Sequence, residues 1–227
     1  MLVLAIETSS RLGSVALWRD GRSVAERVIA QSQGHGAMLF VEARALFEQA
    51  ALRPADLDLV AVSQGPGSYT GLRIGLTAAR TAAYVLGTPV LGVPSLDVLA
   101  ENAPPDAAHV ATLLDAKRGQ VYACLYARRA GLLARQTPYQ VARPDELELP
   151  TPCLVLGDGI ARFRDALARP GLTLATEAAW RPRACVVARL AAARHQAGER
   201  HELHSLQPIY LRRPEAEDVW ERRHPKS

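Results

Sequence analysis

The chain has 227 residues, 48% of them hydrophobic, which is enough for the core of one large domain or of two small lobes. Its net charge of +4 arises from 27 basic and 23 acidic residues that are interspersed, so the charge pattern argues against a dedicated nucleic-acid-binding surface. No apolar run approaches the roughly 18 residues of a membrane span, no charged leader precedes the first strand, and Cys124, Cys153 and Cys185 form no C-x-x-C motif. We therefore expect a cytoplasmic protein with reduced thiols and no membrane contact.

The first half of the chain predicts a three-stranded meander, a helix, a buried strand, a glycine-rich turn and a second helix. Alternating apolar residues indicate the strands of the meander, and the Asp20-Gly21 pair indicates a hairpin turn between two of them. The predicted segments are strands at 2–8, 13–19 and 23–30, a helix at about 37–51, a strand at 58–63 and a helix at 71–86.

The opening pattern recurs in the second half. An apolar strand ends at Asp115, as the first strand ends near Glu7, and a turn and an alternating strand follow in both places. Prolines interrupt the pattern at 101–108, so we predict two lobes, residues 1–102 and a smaller, degenerate lobe 103–227. The predicted segments of the second half are strands at 110–114, 120–127 and 153–156, helices at 160–168 and 184–197, and an extended tail with several prolines.

A glycine-rich turn joins the strand at 58–63 to the helix at 71–86. Gly65 and Gly67 flank Pro66, and Ser68 or Thr70 can cap the helix. The free N–H groups of a helix start favour an anion, but the lysine of a Walker loop and the spacing of a dinucleotide fingerprint are both missing. The pattern therefore favours a turn that positions the helix against another surface over a phosphate cradle, and both interpretations stay open.

The helix after this turn carries two apolar stripes, one of leucines and alanines and one of small residues that include Gly71 and Gly75. The helix at 37–51 is also apolar on two sides. Spacing alone leaves packing inside the lobe and packing against a second chain equally open, but the surplus apolar surface suits a helical interface. The predicted partner-binding residues are Leu39, Phe40, Ala43, Leu46, Phe47, Ser68, Tyr69, Thr70, Gly71, Leu72, Gly75, Leu76, Ala78, Ala79, Ala82 and Ala83.

Three acids are candidates for a degenerate nucleotide cleft. Glu7 and Asp115 lie at strand ends, where carboxylates can hold the magnesium of a nucleotide, and Asp158 lies between two glycines. Capping of nearby N–H groups is the commoner role of such acids. His201 and His204 are predicted to be solvated, and no nucleophile motif is present, so we predict no metal site, no cofactor and no catalytic residue.

The motifs together resemble the TsaB (YeaZ) family. Those that carry the resemblance are LVLAIETSSRLGSVALW at the start, GPGSYTGLRIG, VLGVPSLDVLAENA, LLDAKRGQVYACLY, the GDG turn at 157–159 and the late PIYLR. The resemblance implies an α/β fold of the actin-like (ASKHA, ribonuclease H-like) type with two lobes and a duplicated mixed-sheet core. It implies a subunit without activity of its own in the complex that places threonylcarbamoyl on adenosine 37 of tRNAs reading ANN codons.

The resemblance also implies partners. The chain would form a heterodimer with the catalytic paralogue TsaD, and the ATPase TsaE would join them in a ternary complex. The chain would contact tRNA only as part of the complex, and the isolated chain could form a homodimer. The paralogue carries H-x-x-x-H on the helix after the meander, whereas this chain has His35 followed four residues later by Leu39. The alternative function is an independent ATPase or kinase of the actin-like superfamily, which rests on the fold and the strand-end acids alone.

Overall fold

The computed structural model describes residues 1–29, 35–212 and 220, with the side chain of His35 left out. The first half forms a five-stranded mixed sheet and three helices. Its elements are β1 (Leu2–Glu7), β2 (Gly13–Arg19), β3 (Arg22–Ile29), α1 (His35–Ala50), β4 (Leu59–Gly65), α2 (Tyr69–Leu86), β5 (Val90–Pro94) and α3 (Ser95–Ala100), with a 3-10 turn at Pro54–Asp56. Among the described residues, no helix combines the length and apolar character that crossing a lipid bilayer requires.

The second half forms a six-stranded mixed sheet. Its elements are β6 (His109–Lys117), β7 (Gln120–Arg129), β8 (Leu132–Arg135), β9 (Gln140–Ala142), β10 (Cys153–Leu156), α4 (Gly159–Leu167), β11 (Leu172–Leu174) and α5 (Ala184–Gln196), with 3-10 turns at Pro144–Glu146 and Glu177–Ala179. Strand β9 pairs only with β7, at the side of the main strand order.

The two sheets have the same topology, which confirms the predicted duplication. The first has the order β3-β2-β1-β4-β5 and the second, read from its other end, the order β8-β7-β6-β10-β11. In each, an antiparallel meander of three strands is followed by two strands parallel to the first. Strands β6, β7, β8, β10 and β11 therefore correspond to β1 through β5.

The first sheet is covered on both faces because alternate residues of its central strand are apolar on both sides. Leu4 and Ile6 of β1 belong to the core cluster shared with α1 and α2. Val3 and Ala5 belong to the opposite cluster, which contains Val187 and the other buried residues of α5. This two-sided burial explains why β1 is a continuous apolar run.

One helix of each half packs on the sheet of the other half. Helix α3 follows β5, but its Leu96 and Leu99 pack with Val110 and Leu114 of β6. Helix α5 follows the second sheet but covers the first. The strands divide between the two sheets at the predicted boundary. Helix α5, from the predicted second lobe, completes the core of the first lobe.

The tail is extended, as predicted, and it is also docked along its described length. Leu206 is only 2% exposed in the core of the first lobe. The Ile209 N–H donates to the Gln64 carbonyl oxygen at 2.7 Å, and the Gln64 side-chain amide donates to the Gln207 carbonyl oxygen at 2.8 Å. Residues 213–219 and 221–227 of the predicted tail lie outside the described residues.

A polar cluster at Asp97 joins α3, the second sheet and α5. The hydroxyls of Tyr126 and Tyr139 donate to Asp97 Oδ1 at 2.8 and 2.7 Å, and the Arg194 guanidinium donates to Oδ2 at 2.9 Å. Burial, followed by the nearby Asp97 carboxylate, raises the pKa of both tyrosines, so they remain neutral donors. The cluster therefore holds the two exchanged helices to the second sheet.

We expect Asp97→Ala to lower the free energy of unfolding by about 3 kcal/mol, because it leaves a partly buried guanidinium and two partly buried hydroxyls without their acceptor. Urea denaturation measures the change. The control is Asp106→Ala on an exposed loop, for which we expect a change within about 0.5 kcal/mol. Equal effects of the two substitutions would show that the cluster contributes nothing to stability.

Candidate functional site

The glycine-rich turn packs directly on the turn between β1 and β2. The Ser68 N–H donates to the Ser9 carbonyl oxygen at 2.7 Å, and a Cβ atom on Gly67 would lie 2.3 Å from that oxygen. Ser68 Oγ accepts from the Gly71 N–H at 3.2 Å, which confirms Ser68 as the helix cap in preference to Thr70. Glycine is required here because any side chain would push the two turns apart.

The small residues of α2 also lie very close to Thr8, directly after β1. A Cβ atom on Gly71 would lie 2.0 Å from the Thr8 carbonyl oxygen, and one on Gly75 would lie 2.2 Å from Thr8 Oγ1. The Thr8 hydroxyl donates to the Gly71 carbonyl oxygen at 2.8 Å and fixes the separation. The glycines therefore bring α2 against its own lobe, and Gly75, predicted as a partner-binding residue, lies against Thr8 of the same chain.

Most of the predicted partner-binding residues are buried in the core between α1, α2 and the first sheet. Ala79, expected at the partner contact, is 0% exposed. The other buried members are Leu39, Ala43, Leu46, Phe47, Gly71, Leu72, Gly75, Leu76, Ala78 and Ala83. In this conformation they are not available to a second chain, because intramolecular packing uses both apolar stripes of α2. The exposed or half-buried members are Phe40, Ser68, Tyr69, Thr70 and Ala82.

A different surface of the same two helices carries exposed apolar side chains. Phe40 and Val41 of α1 are 53% and 55% exposed, and Tyr84 and Val85 of α2 are 74% and 72% exposed. Both helices pack on one face of the first sheet, and a Cβ atom on Gly36 of α1 would lie 3.9 Å from the Ile74 side chain of α2. We call these four residues the outer face. Large apolar side chains on the solvent side of one helical layer are candidates for a protein-binding surface.

A cleft of about 730 Å³ lies between the two lobes. Its walls are the β1–β2 turn, the start of α2, the β6–β7 turn, Asp158 and the tail. The residues that line it are Ser9, Ser10, Arg11, Gly36, Gly67, Ser68, Tyr69, Thr70, Gly71, Ile74, Leu114, Asp115, Ala116, Lys117, Arg118, Tyr122, Asp158, Tyr210 and Arg212. Asp115 and Asp158 thus line the predicted cleft, whereas Glu7 does not.

The carboxylates of Asp115 and Asp158 are bonded to the protein itself. Asp115 accepts from the Lys117 N–H and from Lys117 Nζ, both at 2.8 Å. Asp158 Oδ1 accepts from the Asp115 N–H at 2.9 Å, and burial, with the neighbouring Asp115 charge, raises the pKa of Asp158. Within residues 1–29, 35–212 and 220, no three His, Cys, Asp or Glu side chains come together to hold a metal ion. His201 is not simply solvated, because its Nδ1 accepts from the Gly92 N–H.

Glu7 is a structural residue. Its side chain is 0% exposed, and Oε1 accepts from the Ser9 N–H at 2.6 Å and from the Ser9 hydroxyl at 2.5 Å, while Oε2 has no partner. Burial raises the pKa of Glu7 above its ordinary 4.5, despite the hydrogen bonds from Ser9. Glu7 therefore holds the β1–β2 turn in the shape that Gly67 approaches.

The raised pKa of Glu7 predicts a pH dependence of stability. The folded protein holds the Glu7 proton more tightly than the unfolded chain, so the free energy of unfolding falls as pH rises from 4.5 through the folded pKa. Glu7→Gln keeps an acceptor for Ser9 without a charge. We expect its stability relative to the parent protein to improve as the pH rises from 4.5 to 7.5. The exposed Glu148→Gln control should show no such trend, and a trend shared by both variants would contradict the assignment.

The tail forms part of the cleft, which the sequence did not predict. Tyr210 stacks on Tyr69 with ring centroids 5.0 Å apart, and Arg73 lies over the Tyr69 ring and donates to the Tyr210 hydroxyl at 3.2 Å. Arg212 donates to the Ala116 carbonyl oxygen of the second lobe at 3.1 Å. The apolar residues Ile209, Tyr210 and Leu211 in a polar segment are a signal in the sequence that this stretch is docked.

The duplicated sheets, the exchanged helices and the cleft between the lobes define an α/β protein of the actin-like (ASKHA) class. A family model described as TsaD, tRNA N6-adenosine threonylcarbamoyltransferase, matches residues 24–220. The Bacillus subtilis protein named tRNA threonylcarbamoyladenosine biosynthesis protein TsaB is 35% identical, over 97% of this chain and 98% of its own length. The Escherichia coli protein of the same name is 27% identical, over 93% of this chain and 95% of its own.

A solved structure agrees with these relatives along nearly the whole chain. YeaZ from Pseudomonas aeruginosa superimposes with a TM-score of 0.83 at 27% identity and covers 92% of this chain and 99% of its own. The chain therefore belongs to the TsaB (YeaZ) family.

Proposed function

We propose that this protein is a non-catalytic subunit that dimerises with TsaD and supports TsaE in the N6-threonylcarbamoylation of adenosine 37 in tRNAs reading ANN codons. The names of its full-length relatives support the pathway. The observation that carries the subunit role is the outer face, where four large apolar side chains of α1 and α2 are more than half exposed. Such a surface gains free energy when a partner covers it, about 25 cal/mol per Å² of apolar area.

The composition of the outer face suits a specific partner. Tyr and Phe are enriched at the centres of protein interfaces because they bury a large area with few rotatable bonds. Exposed Arg44, Arg73, Thr77 and Thr81 lie on the same two helices and can form a polar rim. In the absence of TsaD, the same face can pair with a second copy of the chain, since apolar side chains of this size in solvent favour association. TsaE and tRNA would bind the heterodimer rather than the isolated chain.

A catalytic role of its own has little support in the residues. Leu39 stands where a second histidine would complete H-x-x-x-H on α1, and it is 1% exposed in the core. The two acids of the cleft are bonded to backbone N–H groups and to Lys117, so they are poor candidates for holding a magnesium nucleotide. These contacts count against the alternative function, an independent ATPase or kinase.

We expect the purified chain to show no ATP turnover above background. The sensitive assay is phosphate release with magnesium present, with and without TsaD and TsaE. Turnover by the isolated chain that disappears in Asp115→Ala would contradict the subunit role and support the kinase. Co-purification with TsaD tests the partner itself, and failure of a folded chain to bind TsaD under any condition would remove the proposal.

A further inference from the structure

The tail packs in a groove that two glycines of the first sheet keep open. Gly65, at the end of β4, has a φ of +99°, which favours glycine, and a Cβ atom there would lie 2.9 Å from the Ile209 carbonyl oxygen. A Cβ atom on Gly92 of β5 would lie 2.7 Å from the Leu206 side chain. The first sheet is therefore shaped to receive this part of the tail.

The first part of the tail, residues 201–209, is held by burial and by bonds to the main chain. Leu206 is 2% exposed, and Leu203 packs against the same core cluster of the first lobe. The Ile209 N–H donates to the Gln64 carbonyl oxygen at 2.7 Å. Detachment would expose apolar area and leave main-chain groups unpaired, so this part should stay docked. We call residues 201–209 the anchor.

The next three residues, 210–212, are held by side-chain contacts near solvent. Tyr210 is 41% exposed, its ring stacks on Tyr69, and its hydroxyl accepts from Arg73 at 3.2 Å. Arg212 donates at 3.1 Å to a carbonyl oxygen of β6 in the second lobe. Stacking and cation contacts at exposed positions are individually weak, so these residues detach more readily than the anchor does.

We propose that residues 210–212 form a latch that opens and closes one side of the cleft between the lobes while the anchor stays docked. The latch begins on α2 of the first lobe and ends on β6 of the second, and Tyr210 and Arg212 line the cleft that it crosses. The pivot falls after Ile209, whose N–H is bonded to β4, because the latch is held through its side chains. The latch does not depend on TsaD, since every residue that holds it belongs to this chain.

Limited proteolysis of the full-length protein by chymotrypsin tests the latch. This protease cuts after tyrosine, and more slowly after leucine, in segments that have detached from the fold. Tyr69→Ala removes the stacking partner of Tyr210, and Arg73→Ala removes the hydrogen bond to its hydroxyl. We expect each variant to be cleaved after Tyr210 about fivefold faster than the parent, the scale of one lost aromatic or cation contact. Tyr84→Ala, an exposed position on the same helix, is the matched control and should change nothing.

A cysteine in place of Ala116 measures access to the cleft. Ala116 lines the cleft, is 6% exposed, and provides the carbonyl oxygen that Arg212 binds. We expect iodoacetamide to alkylate Ala116→Cys about fivefold faster when Tyr69→Ala is also present, because the same contact then no longer holds the latch closed. Cys153, which is buried outside the lining of the cleft, is the internal control and should react at an unchanged rate.

Cleavage after Leu206 separates opening of the latch from loss of the whole tail. We expect it to stay slow in both variants, because Leu206 belongs to the anchor. The proposal is overturned if neither variant, shown to be folded by circular dichroism, is cleaved after Tyr210 faster than the parent. It is equally overturned if cleavage after Leu206 rises in step with cleavage after Tyr210, or if alkylation of Ala116→Cys does not change. Arg73 is exposed, so Arg73→Ala decides the matter should Tyr69→Ala fail to fold.

Discussion

Ala79→Arg should prevent stable folding of this protein. Ala79 is 0% exposed in the core between α2, α1 and the first sheet, so an arginine there has no path to solvent. Overpacking costs about 1–3 kcal/mol, and a buried, unpaired guanidinium costs several more. The sum rivals the total stability of a typical domain, about 5–15 kcal/mol. Circular dichroism and urea denaturation measure the loss.

Thr77→Arg is the matched control for Ala79→Arg. Thr77 lies two residues earlier on the same helix and is exposed, so the same side chain should change the stability by less than about 0.5 kcal/mol. If Ala79→Arg were as stable as the parent protein, the packing of α2 described above would be wrong, and Ala79 would again be a candidate for a partner contact.

Tyr84→Arg should abolish or greatly weaken binding to TsaD while leaving the chain folded. The Tyr84 side chain is 74% exposed, so its replacement removes little packing within the protein. At the centre of an interface, loss of an aromatic anchor costs about 2 kcal/mol or more, a factor of about 30 in the dissociation constant, and an added buried charge raises that cost. Light scattering of the mixture, together with titration calorimetry, measures the change.

Leu132→Arg provides the control for Tyr84→Arg. Leu132 is 76% exposed at the start of β8 in the second lobe, so the two substitutions add the same charge at equal exposure. We expect Leu132→Arg to bind TsaD as the parent does. Loss of binding in both variants would point to a general effect of charge. Unchanged binding in a folded Tyr84→Arg would place the interface elsewhere.

The strands of the first meander, together with β6 and β7, were predictable within a few residues because apolar runs or alternation end at glycine turns, whereas β8 was not predicted. Strand β2 begins and ends as predicted, and β10 does too. Strand β5 was missed because Gly92 and Pro94 interrupt its apolar run. A glycine is needed at position 92 because a Cβ atom there would lie 2.7 Å from the Leu206 side chain and 2.8 Å from the Gln64 side chain. Leu206 belongs to the tail, so no local pattern around Gly92 indicates this contact.

The sheet on which α5 packs could not be predicted from the sequence of the helix. Its alanine spacing shows that one side is buried, but the same spacing suits either sheet. Ala184 and Val187 pack on the first sheet because β1 presents Val3 and Ala5 on the face that α1 and α2 leave free. The residues of β1 that determine this packing lie more than 150 positions earlier in the chain, so no local sequence pattern could predict it.

The structure buries most of the residues predicted to bind a partner on α1 and α2. Small residues at helical spacing allow close approach, but they do not say whether the neighbouring backbone belongs to the same chain. In this structure the neighbouring backbone belongs to the same chain, because the carbonyl oxygen and the hydroxyl of Thr8 occupy the space beside Gly71 and Gly75. Only the exposed fractions of Phe40, Tyr84 and their neighbours then indicate the surface left for a partner.

Site-specific photocrosslinking tests most directly the central claim, that TsaD binds the outer face of α1 and α2. A photoreactive amino acid is placed at Tyr84 in one variant and at Leu132 in another, which are equally exposed in the isolated chain. The account predicts a crosslink to TsaD from position 84 and none from position 132. A crosslink from position 132 with none from position 84, in a mixture that light scattering shows to be a heterodimer, would contradict it.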